Sequence, residues 1–195
     1  MTDRTRGEMA DLLTRIRHAP DRWWHPVRRR AARAAVAARR PGSVLLVCHG
    51  NLCRSPFAAA ALLRALTGTG IAVASAGFVG PGRRPPPDAV AAAARHGVDL
   101  SGHRSRLVDP ASVRGAGLVV VMDTDQQRAI CSRFGVPLHG VVVLGDFDPG
   151  RIETRTVRDP LNAPPAVFEA VYTRIDACAG VLADALRQRH TERTA

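Results

Sequence analysis

The chain has 195 residues, 46% of them apolar and 4% aromatic, with a formal net charge of +11. That length suits one domain plus an extension, and a core of about 150 residues would bury roughly 70% of its unfolded surface, enough to fold without staples. No apolar run approaches the ~20 residues of a membrane span, the four cysteines show neither a disulfide framework nor a metal spacing, and the seven histidines include no HExxH, which together point to a reducing, cytoplasmic compartment.

Every basic residue is an arginine. Residues 1–42 carry 11 arginines against 4 acids, and residues 43–195 carry 17 against 13, so an N-terminal arm holds most of the charge asymmetry. Abundant Arg and Ala with no Lys fits a GC-rich coding sequence better than a basic function. Within the arm, Met9, Leu12, Leu13 and Ile16 recur at helical spacing and predict a short amphipathic helix. Residues 28–40 predict a second, basic helix ending at Pro41-Gly42, with Trp23 and Trp24 between the two. The arm reads as a solvated or loosely docked appendage whose removal leaves turnover of a small substrate intact. The sharper alternative is a segment that touches an acidic partner or anionic lipid through the Trp pair. Nucleic-acid binding is disfavoured because no reader module accompanies the charge.

From residue 43 the chain alternates short apolar strands with helices. Residues 44–48 are the first strand, ending at Cys48. The polar loop His49-Gly50-Asn51-Leu52-Cys53-Arg54 follows, and a helix over 57–66 comes next, with Ser55 as its N-cap and Pro56 at its first position. Residues 67–70 are a turn and 71–75 a second strand. A long Pro- and Gly-rich loop over 76–87 leads to a helix over 89–96, capped by Asp88 and stopped by Gly97. Strands over 118–122 and 141–144 flank a helix over 126–134, which Asp123 caps. A loop rich in Asp, Gly and Arg then reaches Pro160, before a terminal helix over 166–189. Short, fully apolar strands alternating with helices predict an α/β fold, a small doubly wound four-stranded parallel sheet with helices on both faces, preceded by a helical or disordered arm. The expected division is an extension over 1–42, a catalytic domain over 43–190 and a tail over 191–195.

Ligands in such sheets bind beyond the carboxyl ends of the strands, where Cys48 lies. Loop amides ahead of a helix converge on one point, and the helix dipole favours negative charge there. An anion fits that loop, and a thiol at its edge gives up its proton more readily. Arg54 supplies a cation and a planar fork for two phosphate oxygens. Gly50 allows a sharp turn, and Asn51 tolerates a left-handed backbone.

The run Val47-Cys48-His49-Gly50-Asn51-Leu52-Cys53-Arg54-Ser55-Pro56 closely resembles the active-site loop of the low molecular weight protein tyrosine phosphatases, V-C-x-G-N-x-C-R-S-P, and matches every fixed position. Ser75-Ala76-Gly77, Asp88, the stretch 96–106 and the stretch 119–123 look like further landmarks, so the resemblance spans about residues 44–187. It implies a cofactor-free and metal-free hydrolysis of phosphotyrosine. Cys48 would be the nucleophile, and Arg54 with the loop residues His49, Gly50, Asn51, Leu52, Cys53 and Ser55 would bind phosphate. Asp159, in an Asp-Pro just ahead of the last helix, would be the acid and then the base. Ser75 and His103 would brace the loop. A reversible Cys48–Cys53 disulfide would protect the nucleophile from over-oxidation. Leu161 and Asn162 replace a tyrosine pair common after that Asp-Pro, which removes aromatic packing beside the substrate. The implied partner is a phosphotyrosine protein, such as a bacterial tyrosine kinase. Related folds reduce arsenate, but residues 75–110 lack the redox cysteines this needs. Related arginine phosphatases typically carry Thr where this chain has Leu52. A non-catalytic phosphate-binding module is disfavoured because Cys48, Arg54 and Asp159 are all present.

Overall fold

The computed structural model describes residues 3–39 and 41–188, with side chains described from residue 20 onward in the first of these segments. The predicted stripe of Met9, Leu12, Leu13 and Ile16 and the predicted tail 191–195 therefore lie outside the described side chains. Four strands, β1 (Ser43–Cys48), β2 (Ala72–Gly77), β3 (Leu118–Val121) and β4 (Val141–Val143), form one parallel sheet in the order β2-β1-β3-β4. Among the described residues six α-helices accompany them: α1 (Asp3–Arg39), α2 (Arg54–Ala65), α3 (Pro87–Arg95), α4 (Pro110–Gly115), α5 (Thr124–Phe134) and α6 (Pro165–Arg187).

The strands β3 and β4 are short valine runs and β1 a run of Val and Leu, which suit a pleated surface covered on both sides. Alternation by two then sorts each strand between two cores. Val44, Leu46 and Cys48 of β1, with Leu118 and Val120 of β3, face a layer built from α1, α2, α3 and α6. Leu45 and Val47, with Val119 and Val121, face the layer of α4 and α5. The chain leaves β1 toward β2, then returns across β1 to build β3 and β4 on the other side. The strand order reverses there, so the carboxyl end of β1 opens into a crevice.

The layer over β1 is centred on α2 and α6. Phe168, Val171, Tyr172, Ile175, Cys178 and Leu182 recur every three or four residues and bury one face of α6. Tyr172, the single tyrosine, stacks on Phe57 of α2 with ring centroids 4.0 Å apart. Helix α5 begins as expected: the Asp123 carboxylate accepts from Gln126 N at 2.8 Å, and Gly135 closes the helix at φ 66°.

Three local expectations change. Helix α2 starts at Arg54, with Cys53 at the N-cap and no side-chain cap bond, so Ser55 lies inside the first turn. Helix α3 starts at Pro87, which places Asp88 in the first turn instead of at the cap. The arm is a single 37-residue helix that runs through Pro20 and Pro26, where two helices were expected. A proline deletes one intrahelical donor and crowds the carbonyl four residues back. Here packing overrides that preference. Ala32 and Val36, one turn apart, join the main core, and His25 is buried as well. Over residues 20–39 the arm is thus docked along one face. Among the described residues, no helix is long and apolar enough to cross a membrane.

Candidate active site

Residues 49–53 leave the end of β1 and turn directly into α2. Asn51 holds the turn. Its φ is 51°, the left-handed region, and it is fully buried. All its polar capacity is engaged. The side-chain amide Nδ2 donates to Ser55 Oγ and to Ser75 Oγ, each at 2.9 Å, and Oδ1 accepts from Arg106 N at 2.9 Å. The Asn51 carbonyl faces His103 Nε2 at 2.9 Å. A carbonyl can only accept, so that imidazole nitrogen carries the proton. The four positions come from β2, from the loop after α3 and from the first turn of α2, and Asn51 ties them together.

Gly77, the last residue of β2, sets how closely the loop lies against the sheet. A Cβ there would sit 2.7 Å from Asn51 N and 2.9 Å from the backbone carbon of Gly50. Phe78 N and Val79 N both donate to the His49 carbonyl, at 2.8 and 3.2 Å, and strap the loop at its other end. Gly77→Ala must therefore push the loop off its seat. We expect it to weaken competitive inhibition by inorganic phosphate by about 10-fold or more, since small misplacements of a binding constellation are costly. An inhibition constant unchanged from the parent chain would show that the close approach does not shape the loop.

Cys48 is 2% exposed, with Sγ 3.0 Å from Ser55 Oγ and 3.3 Å from Asn51 N. Ser55 Oγ already accepts from Asn51, so its one hydrogen has two acceptors to serve: the sulfur, and the Ala76 carbonyl at 3.2 Å. A thiolate is acceptor only, so charge on Cys48 draws that hydrogen to sulfur. This is what Ser55 does in place of capping. Cys53 differs. Burial first, then the nearby charges of Asp159 and Cys48, push its thiol up to about 12. It remains a neutral thiol at physiological pH and does not compete as a nucleophile. Burial likewise pushes Cys178 up to about 12. All four cysteines are free thiols.

Arg54 is the first residue of α2 and is almost completely buried. Its Nη1 donates to the Val157 carbonyl at 3.1 Å, its Nη2 pairs with Asp159 Oδ2, and its Nε is buried without a partner among the described residues. Asp159 is exposed, and its other carboxylate oxygen accepts from Leu161 N at 3.2 Å, an Asx turn that shapes the Asp-Pro segment. Cys48, His49, Gly50, Leu52, Cys53, Arg54, Val79, Arg83, Asp159 and Leu161 line a cleft of about 150 Å³. Val79 and Leu161 are each 40% exposed and form an apolar rim. Asn162 takes a φ of 62°, so a tyrosine there would face a backbone geometry that favours Asn.

The structure thus brings Cys48, Arg54 and Asp159 into one cleft, and Ser75 and His103 into contact with Asn51. Sequence reasoning did not assign several other contributors. Gly77 controls the loop's approach, and Val157 holds the Arg54 guanidinium. Arg83 donates from Nη2 to the Val79 carbonyl at 3.3 Å beside the cleft. Tyr172 OH donates to the Cys53 carbonyl at 3.4 Å. A glycine directly after an alternating strand signals close backbone approach; the Val157 carbonyl leaves no such trace.

A family model described as low molecular weight phosphotyrosine protein phosphatase matches residues 43–192. The low molecular weight protein-tyrosine-phosphatase Wzb of Salmonella typhi is 34% identical over 146 residues, covering 73% of this chain and 93% of Wzb. Among solved structures, the tyrosine phosphatase amsI of Erwinia amylovora superimposes with a TM-score of 0.67 at 28% identity, over 74% of this chain and 92% of that one. The YwlE arginine phosphatase of Geobacillus stearothermophilus superimposes with a TM-score of 0.69 at 28% identity, over 77% of this chain and 96% of that one.

Proposed function

Since the chain belongs to the low molecular weight phosphotyrosine protein phosphatase family, we propose that it hydrolyses phosphotyrosine in proteins through a phosphocysteine intermediate on Cys48. The observation that supports this most is the meeting of Cys48, Arg54 and Asp159 in a single cleft. In the first step Cys48 Sγ attacks phosphorus as the bond from phosphorus to the phenolic oxygen breaks. The amides of residues 49–54 and the Arg54 fork hold the three non-bridging oxygens, where they are worth most because they need no reorganisation. A phosphate oxygen takes over the Arg54 nitrogen that Asp159 engages, which leaves the Asp159 carboxyl facing the leaving oxygen and able to give it a proton. In the second step Asp159 takes a proton from water. The water oxygen bonds to phosphorus and the sulfur–phosphorus bond breaks, releasing phosphate and the Cys48 thiolate, which Ser55 stabilises.

The catalytic unit in this reading is residues 43–190, with residues 1–42 added to it and residues 191–195 a tail. Its natural substrate is a cytoplasmic phosphotyrosine protein, a tyrosine kinase among the candidates. The similarity to an arginine phosphatase favours phosphoarginine as the second reading. Leu52 weighs against it, since it lines the cleft with methyl groups where a hydroxyl would suit a guanidinium-linked phosphate. A peptide panel decides between them. Phosphotyrosine peptides should be hydrolysed far faster than phosphoarginine peptides, with no arsenate reduction and no loss of rate in EDTA. Faster release from phosphoarginine, or abolition of activity by the chelator, would contradict the proposal.

A further inference from the structure

The segment 148–159 carries Val157, which holds Arg54, and Asp159. It lies against α1, outside the residues that match the family model. The contacts are specific. Asp21 Oδ2 accepts from Arg155 N at 3.2 Å and from Thr154 Oγ1 at 3.3 Å, and Asp21 Oδ1 accepts from Arg28 at 2.6 Å. His25 Nε2 donates to the Asp148 carbonyl at 2.9 Å, and Arg29 Nη1 donates to the Pro149 carbonyl at 2.7 Å. Arg174 of α6 reaches the same stretch, donating to the Thr154 and Thr156 carbonyls at 2.6 and 2.8 Å. The segment is thus held by both the arm and the last helix, with Arg155 two residues before Val157 and four before Asp159.

We propose that α1 is part of the catalytic apparatus, with Asp21 a positioning residue that fixes the segment bearing Asp159. The inference rests on Asp159 acting as acid and base. The chain of contacts is short. Asp21 fixes Thr154 and Arg155, Thr154 Oγ1 accepts from Thr156 N at 3.2 Å, and Val157 N is anchored on the Met122 carbonyl at 2.8 Å. Arg54 closes it by bonding both Val157 and Asp159. Burial pushes the Asp21 carboxyl up, but its bonds from Arg28 and Arg155 outweigh this and hold it below the ordinary carboxylate value. A charged acceptor facing a backbone amide makes a stronger tie than a neutral one. On this proposal the arm is no detachable appendage, and its removal should lower turnover of small substrates, opposite to the expectation from sequence.

The test is kinetic and uses the full chain. Asp21→Ala should lower kcat/KM about 10-fold for a phenyl phosphate, whose leaving group needs a proton, and less than 3-fold for a dinitrophenyl phosphate, which does not. Asp21→Asn, which keeps a side-chain acceptor, should restore most of the loss. In the Asp159→Asn background, Asp21→Ala should cost nothing further, because it acts through Asp159. If Asp159→Asn itself shows no dependence on leaving group, the assignment of the acid fails. If Asp159→Asn shows it and Asp21→Ala does not, or if the two losses multiply, the role of α1 fails. Should Asp21→Ala not fold, Thr154→Val removes one of the two bonds on Asp21 Oδ2 together with the acceptor for Thr156 N, and the same dependence on leaving group is expected of it.

Discussion

Cys48→Ser should abolish turnover, lowering kcat by about 10⁴-fold or more while the chain stays folded. The exchange replaces one atom in a buried loop, and the neighbours of that atom, Ser55 Oγ and Asn51 N, can hydrogen-bond oxygen as well as sulfur. What disappears is the sulfur nucleophile, and an alcohol in its place attacks phosphorus far less readily. Phosphate binding should survive within a few-fold, because the Arg54 fork and the loop amides are untouched. Inhibition of the parent chain by phosphate, compared with phosphate binding to the variant by calorimetry, separates the two effects. Measurable turnover by the serine variant would show that another group attacks phosphorus. Cys53 is a poor substitute, since burial holds its thiol near 12.

The second large effect should come from Asp159→Asn, and its size should depend on the substrate. General acid catalysis is worth roughly 10²- to 10⁴-fold where a proton is needed. A loss near the top of that range is expected in kcat/KM for phenyl phosphate or a phosphotyrosine peptide. For a dinitrophenyl ester, whose phenolate leaves unaided, the loss should be about 10-fold or less. Binding should not suffer. The Asp159 carboxylate shares Arg54 Nη2 with any incoming phosphate, and its charge opposes the dianion, so phosphate should bind the variant as tightly as the parent or more tightly. Equal losses for the two esters would remove Asp159 from the role of acid.

Much of this was legible in the sequence for identifiable reasons. The strands could be read because Val44 to Val47, Val119 to Val121 and Val141 to Val143 are short apolar runs rich in valine. Asp123 could be read as a cap because an Asx cap acts within three residues of itself. The helix Pro110–Gly115 was not assigned. Its capping box of Asp109 and Ser112 is clear, but six residues give no apolar period to go with it. Ser55-Pro56 misled for a physical reason. It has the grammar of a helix start, yet the backbone is already helical at Arg54, and the Ser55 side chain faces sulfur and Asn51 instead of capping. The arm misled in the same manner. Two separate patterns read locally as two helices, while α1 runs through Pro20 and Pro26 and is docked on residues 148–155 and the core around Val36. Cys48 and Arg54 were visible because one stretch of seven residues contains both. The contact of Arg54 with Val157 and Asp159 spans more than a hundred positions, and no local pattern encodes it.

The most direct test of the account is to quench the reaction in acid within the first turnover of a phosphotyrosine peptide and digest the protein. The Cys48 peptide should carry one added phosphoryl group, lost on treatment that cleaves a sulfur–phosphorus bond, and more of it should accumulate in Asp159→Asn because water attack is slowed. Full hydrolytic activity with the Cys48 peptide unmodified at every quench time would contradict the mechanism.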